Sequence, residues 1–164
     1  MLAPAAAFHD YILAVHILAV IVAFGVLFIY PLLSVVGVRA EPEAMPWFHR
    51  FQHAVHTRVQ APGLGVVVLA GIYLASDLHV WSHFFVAWGI IASIVIGAVG
   101  GSYLAPRETR LIELADRDLA AAPVGSAGFA WSDEYRTVAT QAERARYLQL
   151  AIAVVTVVLM SLQV

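Results

Sequence analysis

The chain has 164 residues, 62% of them hydrophobic and 12% charged, with a mean hydropathy of +0.84. A soluble domain of this length has too high a surface-to-volume ratio to hide so much apolar surface, so lipid must solvate part of it. The absence of cysteine excludes disulfides, thiolate metal sites, iron–sulfur clusters and cysteine nucleophiles, and a net charge of −2 supplies no global basic field to recruit nucleic acid.

Nothing basic precedes the first apolar run, and the Ala-rich stretch Ala3–Ala7 comes before that run rather than after it, so no cleavable signal peptide is expected. The first span is predicted over residues 8–38, with Pro31 kinking it or ending its membrane-buried part. The second covers residues 58–76. Its apolar run, Ala61–Ser76, is short of the roughly 20 residues a bilayer needs. It must therefore borrow turns from the preceding stretch, Met45–Gln60. There Phe48, Phe51, Val55 and Val59 form an apolar stripe, and His49, His53, His56 and Gln60 form a polar one. The third span covers residues 80–104 and is expected to stop at Pro106; the fourth covers residues 147–163.

Between the last two spans lies a loop, residues 105–146. Within it Arg107–Ala122 carries Leu111, Leu114, Ala115 and Leu119 on one face, the pattern of an amphipathic helix on the membrane surface. Pro123–Ala130 is a breaker, and Ser132 is a predicted N-cap, with Asp133 and Glu134 in the first turn of a helix that can run on into the fourth span. The collar so formed needs no chemistry of its own.

Charge sets the orientation. The chain has no lysine, and its nine arginines fall in two loops. Arg39, Arg50 and Arg58 follow the first span, while Arg107, Arg110, Arg117, Arg136, Arg144 and Arg146 follow the third. Four spans put both groups on one side, and positive charge stays cytoplasmic. The expectation is one all-α domain, 1–164, a four-helix transmembrane bundle with both termini outside and amphipathic helices in the cytoplasm.

The third span carries Gly89, Ser93, Gly97 and Gly101, each four apart, a face of small residues that lets another helix come close. The partner is a helix of the same bundle, a second copy in a homo-oligomer, or a flat macrocycle. Besides these, membrane lipid is the only partner expected, and no nucleic acid.

Seven histidines are the candidates for chemistry. His16 lies within the first span, about two turns below its outer start. It is either a functional residue or a neutral imidazole bonded to a facing Ser, Tyr or carbonyl. His9 stands two turns above it. His79 and His83, with Asp77 close by, flank the outer start of the third span. Imidazole and carboxylate so grouped can bind copper or zinc, and the metal candidates are His9, Asp77 and His79. Two imidazoles from different helices, His16 and His83, can instead clamp a haem iron. Failing both, the outer histidines are interfacial residues beside Trp81 and Trp88. The inner group, His49, His53 and His56, reads as a solvated face, because Arg50 and Arg58 would repel a bare cation.

The chain has no nucleotide-binding loop of the G-x-x-x-x-G-K-[ST] type, no H-E-x-x-H and no G-x-S-x-G elbow. Apart from Asp10 and Arg58 at the ends of the first and second spans, no Asp, Glu, Lys or Arg falls inside a predicted span, which argues against an ion-coupled transporter with a charged relay.

His16, Gly25 and Pro31, then Pro62 and Gly71, then Trp81 and His83 resemble a broad bacterial group over about residues 10–110. That group comprises the HemJ-type protoporphyrinogen oxidases, the membrane domain of CopD-type copper-resistance proteins and an uncharacterised four-helix family. The resemblance implies haem b ligated by His16 and a role in electron transfer or tetrapyrrole handling in the bacterial cytoplasmic (inner) membrane. The HemJ-type oxidoreductases also need a third-helix lysine. Phe85 stands near its place, and Leu32 stands where they carry an arginine. The other expectation is a non-catalytic membrane scaffold or subunit.

Overall fold

The computed structural model describes residues 8–39, 41–122 and 129–162, and among them every regular element is helical. The stretch Ala3–Ala7 and residues 123–128 of the breaker lie outside the described residues. Four helices, α1 (Phe8–Arg39), α2 (Pro42–Asp77), α3 (Phe84–Ala121) and α4 (Asp133–Leu162), are each long and apolar enough to contain a membrane crossing. The chain is an all-α, multi-pass membrane protein. Large apolar side chains such as Leu18, Ile21, Phe28, Leu69, Ile91 and Val158 stand exposed on the bundle, as lipid-facing positions must.

Two helices run further than the apolar stretches alone predict. α2 continues upstream of its apolar run through His56, His53 and His49. α3 begins at Phe84 rather than near Val80, with His83 in extended conformation at its N-cap, and it passes through Pro106 without stopping. A proline lacks the N–H that would bond the carbonyl four residues back, and its ring presses on that carbonyl. For Pro62 and Pro106 those carbonyls belong to Arg58 and Ser102. Each lies in a π-helical segment, His56–Gln60 and Val99–Leu104. The wider π turn absorbs the misfit, so the helix continues instead of ending.

The helices form two stacked layers. In the apolar layer Ala23, Phe24, Leu27, Ile96 and Ala153 make the core. At the arginine-rich end Leu104, Leu111, Leu114, Ala115, Tyr135 and Ala142 make a second one. The stripe of Arg107–Ala122 therefore faces other helices rather than a membrane surface. α4 is continuous from its cap: Ser132 Oγ accepts the Tyr135 N–H at 3.2 Å, and Asp118 Oδ2 accepts the Ser132 N–H at 2.9 Å.

The small-residue seam is engaged within the chain. Gly89 faces Met160 of α4 and Gly97 faces Leu64 of α2, whereas Gly101 borders open space. A close approach of the α1 and α2 backbones sits elsewhere, where a methyl group at Gly63 would lie 3.2 Å from the Ala23 side chain and 3.6 Å from its backbone. Gly63→Val should lower the stability of the detergent-solubilised protein by about 1–3 kcal/mol. Gly65→Val, with nothing within 4 Å, should leave the melting curve where it is.

Candidate functional site

The polar stripe of α2 is turned inward. His49, Gln52, His56 and Gln60 are buried, while Phe51 and Val59 of the apolar stripe are exposed. This inverts the polarity of a water-soluble amphipathic helix, and it is the arrangement a helix adopts when lipid, not water, lies outside.

The buried stripe meets a carboxylate. Glu108 of α3 is 1% exposed and shares the buried face formed by Leu104, Leu111 and Ala115. His56 Nδ1 lies 2.9 Å from Glu108 Oε2 and His53 Nδ1 3.2 Å from the same oxygen. Arg146 of α4, 6% exposed, donates from Nη2 to Oε1 at 3.1 Å. A carboxylate only accepts, so both imidazoles carry their proton on Nδ1 and donate it. The same Arg146 nitrogen donates to Gln52 Oε1 at 3.4 Å. His49 Nδ1 donates to that oxygen at 3.3 Å, and His49 Nε2 in turn accepts the Tyr135 hydroxyl at 2.7 Å. The guanidinium lies 5.1 Å from the centre of the Tyr30 ring, and the Tyr30 hydroxyl donates to Gln60 Oε1 at 3.5 Å. All four helices thus contribute to one polar network.

Two buried side-chain atoms among the described residues have no hydrogen-bond partner, Arg146 Nε and Gln149 Oε1. Gln149 is completely buried, and its Nε2 donates to the Ile96 carbonyl at 2.8 Å, at the last turn before the π segment of α3. Beside it a cleft of about 170 Å³ opens between α2 and α3. It is lined by His56, Gln60, Leu64, Ile96, Gly97 and Gly100, among others. A methyl group at Gly100 would stand 2.7 Å from His56 Nε2, so only glycine leaves that nitrogen room at the cleft wall.

The outer candidates are dispersed. His16 packs between α1 and α2, where its Nδ1 donates to the Val67 carbonyl at 3.1 Å and its ring lies over Gly71. This is the carbonyl-bonded imidazole weighed from the sequence. His83 is exposed and in ring contact with Phe85. No hydrogen bond or ring contact joins it to His16. His9 pairs with Asp10 at 3.0 Å and reaches Asp77 at 4.0 Å. His79, in the left-handed region with φ 55°, bonds the Asp77 main-chain carbonyl at 3.0 Å. Among the described residues no group of three or more His, Asp or Glu side chains is arranged to hold a metal ion.

Sequence reasoning read the inner histidines as solvated and passed over Glu108, Arg146, Gln52 and Gln149. The available signal was positional. Glu108 repeats at the 4, 7 and 11 spacing with Leu104, Leu111 and Ala115, and Arg146 repeats with Ala142, Gln149 and Ala153, so both fall on faces that pack inward.

Removing one member of a buried ion pair leaves the other charge uncompensated, a loss of about 3–5 kcal/mol. Glu108→Leu and Arg146→Met should each lower stability by that order. The double variant should return close to wild type, and thermal unfolding of all four proteins in detergent provides the cycle.

No family model matches the chain, nor does any curated protein or solved structure.

Proposed function

We propose that this protein binds a small membrane-dissolved ligand at the cytoplasmic side of the bacterial inner membrane and accepts a hydrogen bond, and at need a proton, from it through His56. The observation that carries the reading is the Glu108–His56 pair at the edge of the cleft. With Nδ1–H committed to the carboxylate, a neutral His56 presents a bare Nε2 lone pair to the cleft wall. If that nitrogen takes a proton, Glu108 lies next to the imidazolium and stabilises it. A carboxylate that orients an imidazole and balances its charge is the standard arrangement of a general base. Arg146 keeps Glu108 ionised and fixed, because the guanidinium is always charged and bonds the other carboxylate oxygen.

Histidine ¹⁵N NMR in nanodiscs tests this. His56 should carry its proton on Nδ1 with Nε2 bare. In the Glu108→Leu/Arg146→Met protein, which is expected to retain the fold, the proton should move to Nε2. A tautomer unaffected by that change would contradict the reading.

A second reading, haem b held by His16 for electron transfer or tetrapyrrole handling, draws on one observation. The Val67 carbonyl bond fixes the Nδ1–H tautomer of His16, and a ligating histidine needs that tautomer so that Nε2 is free. His16 fits as one axial ligand, and an iron so held would supply one-electron chemistry. His83, the expected second ligand, is exposed at the N-cap of α3. Protein purified with added haem should then show a Soret band that His16→Ala abolishes. A colourless preparation removes this reading and leaves the first intact.

A further inference from the structure

We infer that the cleft beside His56 takes a single six-membered ring bearing a hydroxyl group, the head of a membrane-dissolved phenol or hydroquinone. The inference rests on the hydrogen-bond-accepting reading of His56 and names its ligand class.

Size is the first constraint. An apolar cavity of about 150 Å³ holds one benzene ring, and the cleft offers about 170 Å³. Shape is the second. Gly97, Gly100 and Gly101 leave one wall without side chains, and Leu64 and Ile96 line it with apolar carbon, a slot suited to a flat ring. Gly97 and Gly101 are exposed on the bundle at the end of the apolar layer, so the slot is reached from lipid and an alkyl tail can stay there.

Polarity decides the ring substituent. His56 Nε2, with Nδ1–H bonded to Glu108, is an acceptor. Gln149, completely buried, borders Gly100 through its Nε2, and that nitrogen is held by the Ile96 carbonyl. The His56 acceptor on the cleft wall calls for a ligand that donates. A ring hydroxyl does so, whereas a quinone carbonyl or an ether would face His56 Nε2 oxygen to lone pair. Binding requires only the hydrogen bond from the ring O–H to Nε2.

The test uses the full chain in nanodiscs and three probes with the same tail: 4-octylphenol, 4-octylanisole and octylbenzene. Octylphenol should bind saturably and shift the His56 ¹⁵N signals. The methyl ether and the hydrocarbon should bind about tenfold more weakly or not at all, since they leave His56 Nε2 unsatisfied. Gly97→Val should abolish octylphenol binding, and so should Gly101→Val, whose added carbons start in open space. Gly65→Val, away from the cleft, should bind as wild type. Equal uptake of all three probes would mean simple partitioning and would overturn the inference, as would full binding by both cleft variants that retain wild-type helicity. Failure of phenol binding with the predicted His56 tautomer intact removes the ligand class alone. Failure of the tautomer removes the proposed function with it.

Discussion

The arginine-rich layer turns on one contact, the Glu108–Arg146 pair. Two opposite charges removed from water attract strongly, but each costs several kcal/mol to desolvate, and the attraction offsets that cost only when the remaining lone pairs and protons are bonded. Here they nearly are. The carboxylate takes Arg146 on one oxygen and His53 and His56 on the other, so α4 and α2 are both tied to α3 through a single side chain. Apolar residues of equal volume would join three helices at least as well. A charged joint therefore supports a use beyond holding the helices together.

That use follows from where the joint lies. It sits in the arginine-rich layer, next to two π segments that both contribute to the cleft. The prolines responsible, Pro62 and Pro106, widen both helices at the same level. Gly97, Gly100 and Gly101 line the cleft at this level, and the missing side chain at Gly100 leaves room for His56 Nε2. One sequence feature, a proline two residues beyond each bulge, accounts for helix continuity and for the space beside the acceptor.

Much of the fold was legible in the chain. The four apolar runs, the Ser132 cap and the continuity of α4 all follow from local rules, because span length, capping chemistry and helix periodicity act within a few residues. The site was far less so. The stripe His49–His53–His56–Gln60 was visible, but its direction was read as if water lay outside. The same spacing in lipid turns the polar face inward, and only the partner across the interface shows which applies. Glu108 is 52 residues from His56 and 38 from Arg146. No local pattern encodes such pairings. Pro106 misled for the opposite reason: proline ends most helices, and the π turn that rescues this one is a tertiary accommodation.

The account depends most directly on Glu108 being an ionised carboxylate inside the protein. Infrared difference spectra of wild type against Glu108→Gln, taken in nanodiscs at neutral pH, read that state without reference to any ligand. The difference should contain the stretching bands of a carboxylate, lost in the variant. Loss of a protonated carboxylic acid carbonyl band instead would mean that His56 has no anionic partner, and the proposed base would have no basis.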